Sequence, residues 1–193
     1  MTDVRLIVGL GNPTSQYANT FHNVGFLAVD AMLKEIGGDC TKKECSALTL
    51  HARIDGAKVI IAKPQTYMNL SGTAVRELCN KYKIDTQNVL VVYDDIDLPA
   101  GSLRFRTKGS GGTHNGMRDI VLKIGEDFPR LRVGIGRPQP GRDLASYVLS
   151  RIDSGENGSS VRQAIERAGF AAIDFAAGDS ADRIGAKYNS ATG

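Results

Sequence analysis

Short apolar runs of strand length recur along the chain, separated by segments with helical apolar spacing. The strands predicted at residues 4–10 and 88–93 contain continuous apolar runs at 6–10 and 89–93, which is typical of strands buried on both faces. Residues 47–54 alternate apolar and polar side chains, and together with residues 58–62 beyond Asp55-Gly56 they predict a hairpin. The list of predicted strands is completed by a half-exposed, alternating strand at 102–107 and a further strand at 131–136.

Apolar residues at helical spacing predict helices between these strands. The first helix begins near Asn23 and stops at Gly37, a residue that favours helix ends. A second helix has its apolar face over residues 75–82, with Asn69 or Ser71 available to cap its first turn. Shorter patterns predict helices over 117–124 and 144–152, a polar linker at 153–160 and a last helix over 161–175.

Strands interleaved with helices predict an α/β fold. The 193 residues contain no internal repeat and are sufficient for one hydrophobic core, so residues 1–193 are interpreted as a single domain. The alternating basic strand at 102–107 suggests some antiparallel pairing. We therefore expect a twisted, mixed but largely parallel β-sheet flanked by helices.

Several protein classes are disfavoured by composition. No apolar run is long enough to span a membrane, and the first residues lead into a strand rather than a signal peptide, so the expected location is the cytoplasm. The three cysteines are odd in number and lack CxxC spacing, which argues against a disulfide framework or a zinc site. They are interpreted as reduced thiols: Cys40, Cys45 and Cys79.

Positive charge is concentrated in one stretch of the sequence. Residues 102–142 contain nine Lys/Arg and three acids, a net charge of +6, whereas the remainder of the chain has a net charge of −3. Such a stretch is compatible with a polyanionic partner such as a nucleic acid. It is equally compatible with a solvated face whose charges scatter on folding.

Polar side chains follow the predicted ends of three strands, where α/β proteins usually place a site. The first loop contains His22, and the end of the strand at 88–93 is followed by Asp94 and Asp95. A histidine oriented by a carboxylate can take a proton from water near neutral pH, and either aspartate could supply that carboxylate. Neutral amides are available to donate hydrogen bonds to substrate or to a developing oxyanion: Asn12, Asn69 and Asn115.

Other chemistries find little support. The glycine pair after the first strand lacks the third glycine of a dinucleotide motif, because Thr14 stands in its place, and no Walker lysine motif is present. The three histidines are far apart in sequence and none has an i, i+4 partner, so no metal site is expected. A GxSxG nucleophile elbow is also absent. Acid/base chemistry without a cofactor or a covalent intermediate is the remaining prediction.

Six sequence blocks follow one another from the first strand to residue 138. They are GLGNP at 9–13, TFHNVGF at 20–26, PQTYMNLSG at 64–72, YDDIDLPAG at 93–101, GSGGTHNG at 109–116 and LRVGIGRP at 131–138. In this order they resemble the bacterial peptidyl-tRNA hydrolase family. The resemblance spans most of the chain, whereas the C-terminal helix contributes little to it.

The resemblance implies an esterase that cleaves the bond between a peptide and the 3′-terminal ribose of tRNA, recycling tRNA from prematurely released chains. His22 would be the general base, and Asp94, directly after the last strand residue, would orient it. By the same resemblance, the substrate would be held by Asn12, Tyr17, Met68, Asn69 and Asn115. tRNA phosphates would be bound by Arg106, Arg132 and Arg142. The protein is expected to be monomeric, with no metal and no cofactor.

Three positions depart from the family pattern. Thr14, Phe21 and Thr113 stand where the family commonly has glycine, arginine and glycine. With Phe21 at this position, no arginine stands beside the base. β-branched Thr113 is expected to stiffen the glycine loop (residues 108–116), which is a candidate lid.

Two other functional classes remain as alternatives. One is an RNA-binding protein on the same fold that has lost turnover, similar to relatives of the family that act in organelle intron splicing. The other, disfavoured by Thr14, is an enzyme with a nucleotide cofactor.

Overall fold

The computed structural model describes residues 4–189, within which seven strands form one mixed sheet. The strands are β1 (Val4–Gly9), β2 (Lys42–Glu44), β3 (Ala47–Ile54), β4 (Ala57–Pro64), β5 (Val89–Asp95), β6 (Leu103–Arg106) and β7 (Arg130–Gly134). They are ordered β2-β3-β4-β1-β5-β7-β6, with β4, β1, β5 and β7 parallel in the centre. Antiparallel strands β2, β3 and β6 complete the two sides, so the predicted mixed α/β sheet is confirmed.

Within the described part of the chain, six α-helices cover the sheet. They are α1 (Val24–Ile36), α2 (Ser71–Tyr82), α3 (Asn115–Ile124), α4 (Leu144–Val148), α5 (Glu156–Ala177) and α6 (Ala181–Tyr188). None of the helices within residues 4–189 has the length and apolar composition that a membrane crossing requires. The single domain predicted for residues 1–193 extends beyond the described residues at both ends.

The central strands are buried on both faces, which explains their uninterrupted apolar sequences. In β1, Ile7 packs in the core beneath α1 and α5, whereas Leu6 and Val8 pack in the core beneath α2 and α3. All three side chains are inaccessible to solvent. Parallel strands of this kind end at the same edge of the sheet, so the loops after them converge there.

Glycines at the end of β1 and in the first turn of α1 allow this helix to lie directly against the sheet. A Cβ at Gly9 would come within 2.2 Å of the Gly25 carbonyl oxygen, and one at Gly25 would come within 2.3 Å of the Leu10 nitrogen. The helix itself begins at Val24, well after the glycine pair. These glycines therefore serve helix–sheet packing, and the turn lacks the helix start that a dinucleotide site requires.

Most predicted elements are present, but the C-terminal third differs in detail. The helix predicted over 144–152 ends at Val148, because the following residues pair with residues 19–21: Ile152 donates to the Asn19 carbonyl and Phe21 donates to the Ser150 carbonyl. The predicted linker at 153–160 is partly helical, since α5 already begins at Glu156. Two further elements, β2 and α6, were not predicted from the sequence.

The predicted cap of α2 is wrong. Leu70 occupies the N-cap position and provides no side-chain cap, whereas the Gly72 N–H in the first turn of α2 donates to Asp119 Oδ2 of α3 at 2.8 Å. The Ser71 hydroxyl instead donates to the Met68 carbonyl at 2.8 Å, because residues 68–70 form a 3₁₀ turn that leads directly into α2.

Candidate active site

The end of β5 and the entry to α1 bring a histidine and a carboxylate into contact. His22 lies in the short 3₁₀ turn Phe21–Asn23, and Asp94 is the penultimate residue of β5. His22 Nδ1 lies 2.9 Å from Asp94 Oδ2 and 3.1 Å from Oδ1. With Nδ1 engaged, Nε2 is the ring nitrogen that remains to act on a molecule in the adjoining cleft.

A second histidine contacts the same carboxylate. His114 Nε2 lies 2.8 Å from Asp94 Oδ1, and His114 Nδ1 accepts a hydrogen bond from the Met117 backbone N–H at 3.2 Å. A neutral ring whose Nδ1 is an acceptor has its proton on Nε2, so His114 donates to Asp94. His114 is also the N-cap residue of α3, which explains why its ring is held in this orientation.

Burial and charge shift the two titrating groups in opposite directions. Burial acts to lower the pKa of His22, but the negative charge of Asp94 and its hydrogen bond outweigh burial and raise that pKa above its usual value. For Asp94, burial acts to raise the pKa, yet the charge of His22 and the hydrogen bonds from both rings hold it well below its usual range. Asp94 is therefore an ionised carboxylate that strengthens His22 as a base.

One group of described residues has ligand atoms close enough together to hold a metal ion. These atoms lie within 4.8 Å of one another and belong to His22, Asp94 and His114. Each of the two histidines in this group already hydrogen-bonds to Asp94 through one ring nitrogen. The sequence argument against a metal rested on the distance between the histidines along the chain, and folding removes that distance. A chelator is therefore part of the experiment below.

Asn12 is held rigidly beside His22 by a paired asparagine. Asn23 accepts from the Asn12 backbone N–H at 2.9 Å and donates through Nδ2 to the Asn12 carbonyl at 3.0 Å. Asn12 Oδ1 accepts from the Met68 backbone N–H at 2.8 Å. The side-chain oxygen is thus occupied, and the Asn12 amide group remains to donate hydrogen bonds into the cleft.

A cleft of about 770 Å³ opens over these residues. Its wall beyond the histidines includes the end of β5, the glycine loop and α4. The predicted substrate residues that line it are Asn12, Met68, Asn69 and Asn115. Tyr17 is not among the lining residues. It is half-buried in the 3₁₀ turn Ser15–Tyr17, and its carbonyl accepts from Thr20 Oγ1 at 2.9 Å.

The predicted tRNA-binding arginines occupy different positions. Arg106 is exposed at the end of β6 and lines the cleft. Arg132 also lines it, but its Nε is paired with Asp95 Oδ2 at 2.6 Å. Arg142 is exposed outside the lining, with its guanidinium 5.3 Å from the centre of the Tyr147 ring.

The three departures from the family pattern are accommodated locally. Phe21 is buried and stacks on Tyr147 with ring centres 5.0 Å apart, which fastens α4 to the turn that contains His22. Thr113 lines the cleft and does not require the left-handed backbone region, which in the glycine loop is occupied by Gly109 and Gly112. Thr14 is exposed.

Two residues of this site, His114 and Asn23, were not assigned a role from the sequence. Both were visible as polar residues beside predicted ones, His114 next to Asn115 and Asn23 next to His22. Nothing in local spacing indicates that His114 shares Asp94 with His22, since 92 positions separate the two histidines.

Comparisons with known proteins point to one family. Residues 6–192 match the family model described as peptidyl-tRNA hydrolase. A protein named peptidyl-tRNA hydrolase from Alkaliphilus metalliredigens is 46% identical over 185 residues, covering 95% of this chain and 98% of the relative. One of that name from Chloroflexus aurantiacus is 53% identical over 153 residues, covering 78% and 81%.

Solved structures show the same fold. The crystal structure of peptidyl-tRNA hydrolase from Acinetobacter baumannii superposes with a TM-score of 0.89 at 33% sequence identity, and the match covers 100% of this chain and 97% of that one. The family model, the close relatives and the shared fold all lead to one assignment: this chain belongs to the peptidyl-tRNA hydrolase family.

Proposed function

We propose that this protein hydrolyses the ester bond of peptidyl-tRNA by general-base catalysis, with His22 as the base and Asp94 as the group that orients it. The observation that carries the proposal is the contact between His22 Nδ1 and the buried Asp94 carboxylate, which leaves Nε2 as the basic atom of the cleft. The sequence block around His22 and the membership of the family support the same assignment.

In the proposed reaction, His22 Nε2 removes a proton from water as the water oxygen attacks the ester carbonyl. The C–O bond to the ribose then breaks, and protonated His22 returns the proton to the leaving ribose oxygen. The products are a peptide with a free carboxyl group and a tRNA with a free 3′-terminal ribose. The charge of Asp94 stabilises the imidazolium that exists between the two proton transfers.

Neutral amides supply the remaining polar contacts in this proposal. The Asn12 amide group donates to the carbonyl oxygen as negative charge develops on it, because it is fixed by Asn23 and Met68 before substrate arrives. Asn69 and Asn115 are exposed in the lining and hold the peptide and the 3′ end of the tRNA. Met68 contributes apolar surface, and Tyr17 has no part in this proposal.

tRNA phosphates are proposed to lie along the basic rim of the cleft. Arg106 and Arg132 are at the cleft itself and would meet the acceptor end, whereas Arg142 would meet phosphates farther away. We also propose that the enzyme works as a cytoplasmic monomer without metal or cofactor. Analytical ultracentrifugation of the purified protein tests the monomer, and the chelator arm of the next experiment tests the metal.

The deciding experiment is release of tRNA from an N-blocked aminoacyl-tRNA by the purified protein, with and without EDTA. We expect cleavage at the same rate in both samples. Free Mg²⁺ is kept constant in all samples so that the tRNA stays folded. Cleavage that is lost with EDTA and restored by another divalent cation would contradict the metal-free mechanism. Absence of cleavage together with tight, salt-sensitive tRNA binding would favour the RNA-binding alternative.

Substitution of Arg106 by alanine tests the basic rim. The variant is expected to raise KM and to reduce the slope of log Kd for tRNA against log salt by about 1, because one phosphate contact and its released counterion are lost. Arg53→Ala is the matched control, since Arg53 is exposed at the β3–β4 hairpin, away from the cleft. An unchanged slope for Arg106→Ala would remove Arg106 from the phosphate site.

A further inference from the structure

Arg130, at the start of β7, is a buried cation held by backbone carbonyls. Arg130 is only 2% exposed to solvent. Its Nη1 donates to the Ser110 carbonyl at 3.0 Å and its Nη2 donates to the Glu126 carbonyl at 2.9 Å, with a longer contact of 3.4 Å from Nε to the Phe128 carbonyl. The guanidinium also lies 4.1 Å from the centre of the Phe128 ring.

Burial of a guanidinium is costly unless its donors are satisfied. A hydrophobic side chain in β7 would fill the same space without that cost, so the arginine is better explained by what its donors hold. The Ser110 carbonyl belongs to the glycine loop, 20 residues before Arg130, and the Glu126 carbonyl belongs to the turn after α3. Arg130 therefore ties the glycine loop to the sheet.

The tied loop leads directly to the second histidine of the site. Gly109 N–H donates to the Glu126 carbonyl at 3.2 Å, so the start of the loop shares the acceptor that Arg130 binds. Four residues after Ser110, the His114 ring meets Asp94 and packs edge-on against Tyr93 at 5.1 Å between ring centres. Displacement of the Ser110 carbonyl would move the segment that positions His114.

We propose that Arg130 is a positioning residue for the hydrolysis. Through the glycine loop it holds His114 against Asp94, and it keeps Asn115 in the cleft. The expected effect on kcat rests on the proposed function. The expected anchoring of the glycine loop by Arg130 does not depend on that function. Although Arg130 borders the cleft, the three hydrogen bonds described for its guanidinium go to carbonyls, so its proposed role is to position the loop rather than to contact the reacting atoms.

The test compares Arg130→Met, which removes the donors, with Arg130→Lys, which keeps the charge but cannot reach three carbonyls at once. Ile54→Ala is the control for lost stability. Ile54 is buried beside the β3–β4 turn and does not line the cleft. For each variant, kcat and KM for N-blocked aminoacyl-tRNA are measured well below its Tm. Amide hydrogen exchange is measured over residues 108–116 and over β1.

We expect Arg130→Met to lower kcat roughly ten- to a hundredfold with a much smaller change in KM, as for a displaced catalytic geometry. Exchange should accelerate in the glycine loop and not in β1, and Arg130→Lys should fall between Arg130→Met and the unmodified protein. Ile54→Ala should keep its kcat. If Arg130→Met does not fold, Arg130→Lys provides the same comparison.

Unchanged loop exchange in the folded Arg130 variant would overturn the inference, as would a loss of kcat that Ile54→Ala shares. If the unmodified protein does not hydrolyse the substrate, the proposed function fails. The exchange measurement then still decides whether Arg130 anchors the loop.

Discussion

Replacement of His22 by alanine is expected to lower kcat for tRNA release by about 10²–10⁴, the usual contribution of a general base. The loss follows from the structure, because Nε2 of His22 is the ring nitrogen that the contact with Asp94 leaves available in the cleft. Binding of tRNA should be largely retained, since the basic rim is untouched. The measurement combines single-turnover kinetics with the Kd of a non-hydrolysable substrate analogue.

The matched control is His51→Ala. His51 is an exposed histidine of β3, outside the cleft, so its loss should leave kcat unchanged. A His22→Ala variant that cleaves at nearly the original rate would remove His22 from the role of base. A variant that loses tRNA binding as well would indicate that the site has collapsed.

Replacement of Asp94 by asparagine should lower kcat by a similar order, about 10²–10⁴, and also shift the pH profile. Protonated His22 cannot act as a base, so kcat falls as pH falls through the raised pKa of His22. Without the charge of Asp94, burial remains and acts to lower that pKa. The acidic limb of kcat against pH is therefore expected to move to lower pH, measured from about pH 5 to 9.

Asp97→Asn provides the same chemical change at another acid of the cleft. Asp97 is exposed and pairs with Arg137, so it has no contact with His22. Its acidic limb should stay in place. An Asp94→Asn variant with an unmoved or higher limb would show that the charge of Asp94 does not set the pKa of His22.

Local sequence was sufficient for six of the seven described strands and for most helices, because their apolar patterns reflect burial that the structure confirms. Residues 47–54 and 58–62 were predicted as a hairpin, and β3 and β4 pair from Ala47 with Pro64 to Ile54 with Ala57. The helix at 144–152 was predicted too long. Its apolar spacing continues to Ile152, but the backbone after Val148 forms hydrogen bonds with residues 19–21 instead.

The candidate site was predicted in its chemical types rather than in its contacts. The sequence left Asp94 and Asp95 open as partners of the histidine until the resemblance favoured Asp94. In the structure Asp94 lies under both histidine rings, whereas Asp95 pairs with Arg132. Side chains of successive strand residues point to opposite faces of the sheet. The choice between Asp94 and Asp95 therefore depends on which face each side chain occupies in the folded sheet.

The sequence by itself determined the α/β class, the polar character of the strand ends, the excess of basic charge at 102–142 and the six blocks of the family. These properties depend on residue type and short-range spacing. Only the tertiary structure decided that His114 shares Asp94 with His22, that Tyr17 lies outside the cleft lining and that Arg130 donates to the Ser110 carbonyl of the glycine loop. Each of those facts depends on side chains separated along the chain, which meet because parallel strands end at one edge of the sheet.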